Sequence, residues 1–169
     1  LPFYPYSSDD GFSVIDYLQV DQTLGNWKDI ESIGTTYQLM FDLVANHISQ
    51  KSTWFKKYLA GDAAYQEYFV EVENDPDLSR VFRPRALPLL TEVQTSKGPK
   101  KLWTTFSDDQ FDLNYANPEV LLSILEVLKR YIIEGASFIR LDAIAFIWKE
   151  IGTQCLHHPN THRIIKLIR

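Results

Sequence analysis

The sequence has few of the features that mark secreted, membrane-spanning or nucleic-acid-binding proteins. Among its 169 residues it has one cysteine, Cys155, so no disulfide can form within the chain, as is usual in the reducing cytoplasm. No apolar run approaches the ~20 residues that a membrane-spanning helix needs. The net charge of −5 offers no basic surface to nucleic acid. We therefore expect a cytoplasmic protein that binds neither a membrane nor nucleic acid.

Both ends lack the usual signals of a beginning and an end. The chain starts at Leu1, without an initiator methionine or a charged leader. Residues 164–169 are apolar at helical spacing, and no glycine or proline ends the helix there. We expect that both ends are cut from a longer chain. The content of 45% hydrophobic and 14% aromatic residues excludes disorder, because it supplies enough apolar side chains for a core.

Short apolar runs alternate with helical patterns along the chain. The runs predict buried strands at residues 1–6, 37–45 and 136–142. Capping residues and apolar periodicity predict helices at residues 26–35, in parts of 51–70, from Asn117 to Gly135 and at 159–169. Between about residues 71 and 105, prolines and a glycine interrupt the apolar periodicity that marks helices and strands. This predicts a small irregular insertion. Repeated strand–helix units predict parallel strands with right-handed crossovers, whose carboxyl ends hold the active site.

Residues 42–47, DLVANH, end the second predicted strand. On a strand, Asp42 would lie in the interior, and Asn46 and His47 would lie at the rim. The histidine there either belongs to a site or satisfies a backbone carbonyl, and the hexapeptide alone leaves both open.

Residues 138–143, FIRLDA, cover most of the third predicted strand and the residue after it. Alternation sends Arg140 and Asp142 to the same face. A neighbouring guanidinium keeps a carboxylate ionised and oriented, which a nucleophilic carboxylate requires. A buried structural ion pair would have the same pattern.

The loop after the first predicted strand combines carboxylates with aromatic rings. Asp9 and Asp10 stand beside Phe12, and Asp16 stands beside Tyr17. Aromatic faces with acidic acceptors suit a sugar, because its C–H face packs on the ring and its hydroxyls donate to the carboxylates. An exposed acidic turn is the alternative.

Taken in order, these segments resemble the signatures of one enzyme family. Residues 42–47 and 138–143 resemble the first and second signatures of the α-amylase clan, glycoside hydrolase family 13, and residues 110–114 (QFDLN) resemble its auxiliary signature. Four further segments resemble the sucrose phosphorylase subfamily, in particular its branch acting on glucosylglycerate or sucrose 6′-phosphate: residues 1–17, 24–27 (LGNW), 83–85 and 149–155 (KEIGTQC).

This resemblance implies an α/β fold, namely a partial (β/α)8 TIM barrel of about strands two to four. Residues 1–47 and 109–169 would belong to the barrel. Residues 48–108 would form an irregular inserted domain after the third strand. Since such a barrel has ~250 residues plus insertions, the rest of it would come from the same or a separate polypeptide.

The activity implied is that of a retaining α-glucosyl phosphorylase. Such an enzyme cleaves an α-glucoside with phosphate and gives α-glucose 1-phosphate through a covalent aspartyl intermediate. Its partners would be the small-molecule α-glucoside and inorganic phosphate, and no cofactor or metal is implied. A hydrolase or transglucosidase of the same clan, or a non-catalytic remnant, are the alternatives.

The resemblance assigns roles to individual residues. Asp142 matches the nucleophile and Arg140 the residue that orients it. Arg85, and with it Arg83, are candidates for phosphate. The residues that match donor-sugar contacts are Asp9, Phe12, His47, Phe106 and Gln110.

The resemblance also implies what the chain lacks. The family's acid/base glutamate and its stabilising aspartate follow later strands, and Glu150 matches neither. We therefore expect the chain alone to be inactive and poorly stable. The three histidines at 157, 158 and 162 are not expected to bind a metal, because Pro159 opens a helix between them.

Overall fold

The computed structural model describes residues 2–169, which contain four α-helices and six strands. In chain order these are α1 (Trp27–Gly34), β1 (Leu39–Val44), β2 (His47–Ser49), α2 (Thr53–Ala60), β3 (Leu90–Thr95), β4 (Gly98–Trp103), β5 (Gln110–Asp112), α3 (Pro118–Ile133), β6 (Ala136–Asp142) and α4 (Pro159–Ile168). Within residues 2–169, no helix is both long and apolar enough to cross a membrane.

Strands β1 and β6 form a parallel pair, which confirms the predicted strands at 37–45 and 136–142. Asp42 lies opposite Arg140, and Val44 lies opposite Asp142. Residues two apart on a strand share a face, so the polar side chains of both strands project to the same side of this pair. Helix α3 precedes β6 and buries one stripe of side chains against the core, consisting of Val120, Ile124, Val127 and Tyr131.

The helices begin and end where the capping residues predict. Asn26 accepts from the amide of Lys28 and forms a capping box with Asp29 at the start of α1. Asn117 accepts from the amide of Glu119 at the start of α3. Gly135 follows that helix with φ of +93°, a conformation that glycine adopts without steric cost.

The predicted strand at residues 1–6 is wrong within its described part, residues 2–6. Only Tyr6 makes a bridge, to Val14. Pro2 and Pro5 lack an amide hydrogen and cannot donate to a ladder. The carbonyls of Phe3 and Pro5 instead accept from Asp21 at 2.7 Å and from Ile15 at 2.8 Å. The segment is therefore extended and buried, but it is bonded to the loop that follows it.

The segment at 71–105 is more regular than the sequence indicates. Strands β3 and β4 form an antiparallel hairpin, closed by Ser96 and Lys97 with Gly98 at φ of +108°. The alternation in LTEVQT and the glycine after a two-residue turn are the signals of such a hairpin. Pro99 hides them because it suggests a break, although its position next to the turn is compatible with a strand.

The main core is aromatic and lies behind the β1–β6 pair. Phe41 contacts the rings of Phe3 and Tyr131 edge-on, with centroids 4.7 and 5.5 Å away. A smaller cluster joins the loop after β6 to the hairpin and consists of Val72, Val81, Leu89, Trp103 and Cys155. The second cluster therefore fixes the 71–105 segment next to the loop that follows β6.

Candidate active site

Arg140 connects two carboxylates at the end of the parallel pair. Its guanidinium donates to Asp42 on β1 and, at 3.0 Å, to Asp142 on its own strand. Burial raises the pKa of Asp142 above its usual range, and Arg140 opposes that effect only in part. The bond to Asp42 in turn raises the pKa of Arg140. The arginine is thus permanently charged and holds Asp142 in a fixed orientation.

His47 is buried at the start of β2, where both of its ring nitrogens have polar neighbours. The side-chain amide of Asn46 donates to Nδ1 at 3.1 Å, and Nε2–H donates to the carbonyl of Phe12 at 2.9 Å. Burial lowers the pKa of His47, although the nearby Asp112 opposes this shift. The ring is therefore neutral near pH 7 and connects β2 to the loop that bears Phe12.

Asp9 lies at the centre of the polar contacts of that loop. Its two oxygens accept from one nitrogen of Arg85 at 2.8 and 3.0 Å, and Oδ2 also accepts from Gln110 at 2.9 Å. Burial alone would raise the pKa of Asp9, but the bonds from Arg85 and Gln110 outweigh it and lower that pKa. The carboxylate is ionised and lies at the start of β5.

Two phenylalanine rings line the same space. The guanidinium of Arg140 lies 5.4 Å from the ring centre of Phe12. Phe106 packs against the imidazole of His47 with centroids 5.1 Å apart, and Arg85 lies 5.6 Å from its ring centre. These contacts place apolar faces beside the carboxylates, which is the combination that binds a sugar ring.

The structure therefore brings eight of the nine predicted site residues into one connected set of contacts. Arg83 is the exception, since its guanidinium donates to the carbonyl of Leu87 and contacts none of the others. Glu150 pairs with His158 at 3.0 Å. Neither residue belongs to this set.

Sequence reasoning missed a buried ion pair beneath His47. The ammonium of Lys149 lies 2.7 Å from a carboxylate oxygen of Asp112 and donates to Asn46 at 2.8 Å. Asp112 also accepts from the amide and the hydroxyl of Thr105. Alternation along β5 places Asp112 on the same face as Gln110 and was a usable signal. Nothing in the sequence links either residue to Lys149.

Within residues 2–169, no group of three or more histidines, cysteines and carboxylates is arranged to hold a metal ion. His157 and His162 stack with ring centres 6.1 Å apart, while His158 stacks on Trp148. His158 therefore makes a different contact from the other two histidines.

Comparison with known proteins gives a consistent set of similarities. The alpha amylase catalytic-domain family model matches residues 1–166. The chain is 57% identical over 169 residues to a glucosylglycerate phosphorylase of Spirochaeta thermophila, and 59% identical over 169 residues to one of Allomeiothermus silvanus. Each match covers 100% of this chain, but the chain spans only 29% and 30% of the two relatives.

The fold of this chain is similar to part of a solved structure. A crystal structure of sucrose 6F-phosphate phosphorylase from Thermoanaerobacter thermosaccharolyticum superposes with a TM-score of 0.91 at 27% identity. The match covers 98% of this chain and 37% of that one. The α/β architecture is therefore that of part of a TIM barrel, as the sequence predicts.

Proposed function

Since this chain belongs to the alpha-amylase catalytic-domain family, we propose that it forms the nucleophile-bearing part of a retaining α-glucosyl phosphorylase. The observation that supports this most is a single set of contacts at the strand ends, in which the side-chain amide of Gln110 donates both to Asp9 and to the carbonyl of Phe12. Phe12 in turn contacts His47 and Arg140, and Arg140 donates to Asp142. This set of contacts combines a fixed carboxylate with a binding surface for a sugar.

Asp142 is the proposed nucleophile. One of its oxygens attacks the anomeric carbon of the glucosyl group while the bond from that carbon to the acceptor oxygen breaks. Retaining enzymes place a carboxylic acid on the other side of that bond, about 5–5.5 Å away, to protonate the leaving oxygen. That acid would come from barrel strands beyond the three that the resemblance assigns to this chain.

The second half of the reaction replaces the acceptor by phosphate. A phosphate oxygen attacks the anomeric carbon, the ester bond to Asp142 breaks, and α-glucose 1-phosphate leaves. Phosphate is an anion, so its approach needs positive charge, and a guanidinium binds it through paired hydrogen bonds. We propose Arg85 for this role because its half-exposed guanidinium already lies beside Asp9 and Phe106. Arg83 is a second candidate on the same segment.

Asp9, His47 and Gln110 are the proposed donors and acceptors for the glucosyl hydroxyls, and Phe12 and Phe106 are the proposed walls. We propose a glucosylglycerate-type acceptor, because the sequence identity is 57% and 59% to the two glucosylglycerate phosphorylases and 27% to the sucrose 6F-phosphate phosphorylase. A charged acceptor of this kind carries a carboxylate, which Arg85 could also bind.

We propose that further barrel strands, on the same or a separate polypeptide, cover the interior face of the β1–β6 pair. Met40 and Phe138 lie opposite each other on that face and are 56% and 52% exposed. In TIM barrels, interior side chains from all strands pack in layers. The division into barrel parts at 1–47 and 109–169 with an insertion at 48–108 remains part of this proposal, as does a cytoplasmic location, which the free thiol of Cys155 supports.

The natural full-length protein is to be assayed with glucosylglycerate, sucrose and sucrose 6′-phosphate, each with and without phosphate. We expect α-glucose 1-phosphate to form only with phosphate, and fastest from glucosylglycerate. Asp142→Asn removes the nucleophile and is expected to lower turnover by at least about 10³-fold. Asp108→Asn alters an exposed carboxylate outside the site and serves as the matched control.

Two results would contradict the proposal. Free glucose released at the same rate with and without phosphate would identify a hydrolase. Sugar binding without turnover of any donor would identify a non-catalytic member of the family.

A further inference from the structure

The loop that bears Asp9 and Phe12 has an unfavourable backbone conformation. Asp9, Asp10 and Gly11 follow one another with φ of +57°, +52° and +108°. Residues with a Cβ atom rarely adopt this left-handed region, and they do so only where their surroundings determine the conformation. Something outside the loop must therefore hold it in place.

Asp109 is positioned to do so. Its Oδ2 accepts hydrogen bonds from the hydroxyls of Ser7 at 2.5 Å, Ser8 at 2.5 Å and Ser13 at 2.8 Å. Ser7 and Ser8 directly precede the left-handed residues, and Ser13 follows them after Phe12. One carboxylate thus binds both ends of the strained segment. We call Asp109 with these three serines the Asp109 clamp.

The clamp is continuous with the candidate active site. Asp109 directly precedes Gln110, whose side chain donates to Asp9. The backbone of Gln110 pairs with Ser49 on β2, and the hydroxyl of Ser49 lies 2.5 Å from that of Ser7. Two successive residues therefore hold the loop: Asp109 binds the serines at its two ends, and Gln110 binds Asp9 between them.

The charge of Asp109 suits this role. Burial raises its pKa, but the hydrogen bonds from the serines outweigh burial and lower it below the usual range. Hydroxyl groups donate more strongly to an ionised carboxylate than to a neutral acceptor. An amide in its place keeps one acceptor oxygen for the three hydroxyls but removes the negative charge that strengthens these bonds.

We propose that Asp109 is a positioning residue, which holds the loop of residues 7–13 so that Asp9 and Phe12 face the donor sugar. The part of this inference that concerns sugar rests on the proposed function. The part that concerns the loop rests on the hydrogen bonds alone, so the two can fail separately.

The test compares Asp109→Asn with Asp108→Asn in the natural full-length protein. The first readout is hydrogen exchange at the amides of Ser7, Phe12 and Ser13, each of which donates within the loop. We expect exchange at these amides to rise by about ten-fold or more in Asp109→Asn and to stay unchanged in Asp108→Asn. Unchanged exchange in Asp109→Asn would overturn the proposal, whether or not the protein has phosphorylase activity.

The second readout is a double-mutant cycle with Asp9→Asn on kcat/KM for the donor. If Asp109 acts through the loop, Asp109→Asn lowers kcat/KM by about ten-fold or more in the wild-type background and by much less in the Asp9→Asn background. If Asp109 had a purely structural role, the loss of kcat/KM in the double variant would equal the product of the two single losses. That result would overturn the positioning role. Absence of any turnover in the wild-type protein would count against the proposed function only.

Ser8→Ala is the second variant and serves as the test if Asp109→Asn does not fold. It removes one of the three hydrogen bonds to Asp109 and leaves the carboxylate in place. We expect a smaller rise in exchange at the same three amides, about three-fold, with an unchanged melting temperature. No rise would contradict the clamp.

Discussion

At the residue scale, His47 shows how burial and partners select one chemical form. The ring has an acceptor bonded to Nε2–H and a donor bonded to Nδ1, so the neutral form satisfies both nitrogens. A proton on Nδ1 would face the amide of Asn46, which is itself a donor. This contact therefore favours the neutral ring.

We expect the stability of the protein to fall as the pH drops below about 6.5, with His47 as one cause. An unfolded histidine has a pKa of 6.5, whereas burial lowers the pKa of His47 in the folded state. The unfolded state then binds the proton more readily, so stability present above pH 6.5 is lost as the pH falls through the folded pKa. His47→Gln is expected to flatten the melting temperature between pH 7 and 5, relative to the exposed control His162→Gln. Equal slopes in both variants would contradict this account.

The buried pair of Lys149 and Asp112 gives a second prediction at this scale. Lys149→Met leaves the fully buried carboxylate of Asp112 without its cation, and breaking such a pair costs about 3–5 kcal/mol. The surface control Lys129→Met is expected to change the free energy of unfolding by no more than about 0.5 kcal/mol. Urea unfolding measures both. A loss below about 1 kcal/mol in Lys149→Met would show that the pair is not needed.

Sequence reasoning predicted the residues of the site better than the residues that support them. Asp142, Arg140 and His47 were predictable, because strand alternation and the position of the strand ends indicate on which face and at which end of the sheet they lie. Lys149 and Asp109 were not, because their partners Asn46 and Ser8 are 103 and 101 residues away in the sequence. Such contacts depend on how distant segments pack, which a local pattern does not contain.

At the element scale, the helices were predictable because caps and periodicity are local. The side chains of Asn26 and Asn117 cap the starts of α1 and α3. Gly135 follows the end of α3, where the lack of a side chain permits a positive φ. Residues 2–6 were not predictable from apolar character alone, because the two prolines decide which hydrogen bonds remain. The β3–β4 hairpin is hidden for a related reason, since Pro99 interrupts the alternation around it.

Two glycines have the same φ but differ in the space around them, so a comparison of alanine variants distinguishes the cost of backbone strain from the cost of close packing. Gly11 and Gly98 both have φ of +108°, but a Cβ at Gly11 would clash with the ring of Pro2, whereas a Cβ at Gly98 would meet nothing within 4 Å. We expect Gly98→Ala to cost about 1–2 kcal/mol. Gly11→Ala should cost at least about 1 kcal/mol more and raise the KM for the donor, because its loop bears Asp9 and Phe12. Equal losses of stability on unfolding in urea would contradict this.

At the scale of the whole molecule, the β1–β6 pair has an interior face that is polar at one end and apolar at the other. Asp142 and Arg140 occupy the carboxyl end, while Phe138 and Met40 lie below them and are more than half exposed. A two-stranded parallel pair with an open apolar face is poorly stable, because parallel strands are normally covered on both faces. The proposed remaining strands would supply both the cover and the catalytic acid.

We therefore expect residues 1–169 expressed alone to bind a hydrophobic dye and to give no phosphate-dependent α-glucose 1-phosphate. Adding the rest of the barrel as a second polypeptide should reduce dye binding, because Met40 and Phe138 become buried. Phosphorolysis by residues 1–169 alone would contradict the view that the acid lies outside this chain.

The central claim is that Asp142 forms a covalent bond to the glucosyl group. The most direct measurement is peptide mass spectrometry of the natural full-length protein after incubation with a fluorinated glucosyl fluoride, which slows breakdown of the intermediate more than its formation. The account predicts one fluoroglucosyl group on the peptide that contains Asp142, and none in Asp142→Asn. A label on a different carboxylate, or no label in a protein that turns over the donor, would contradict it.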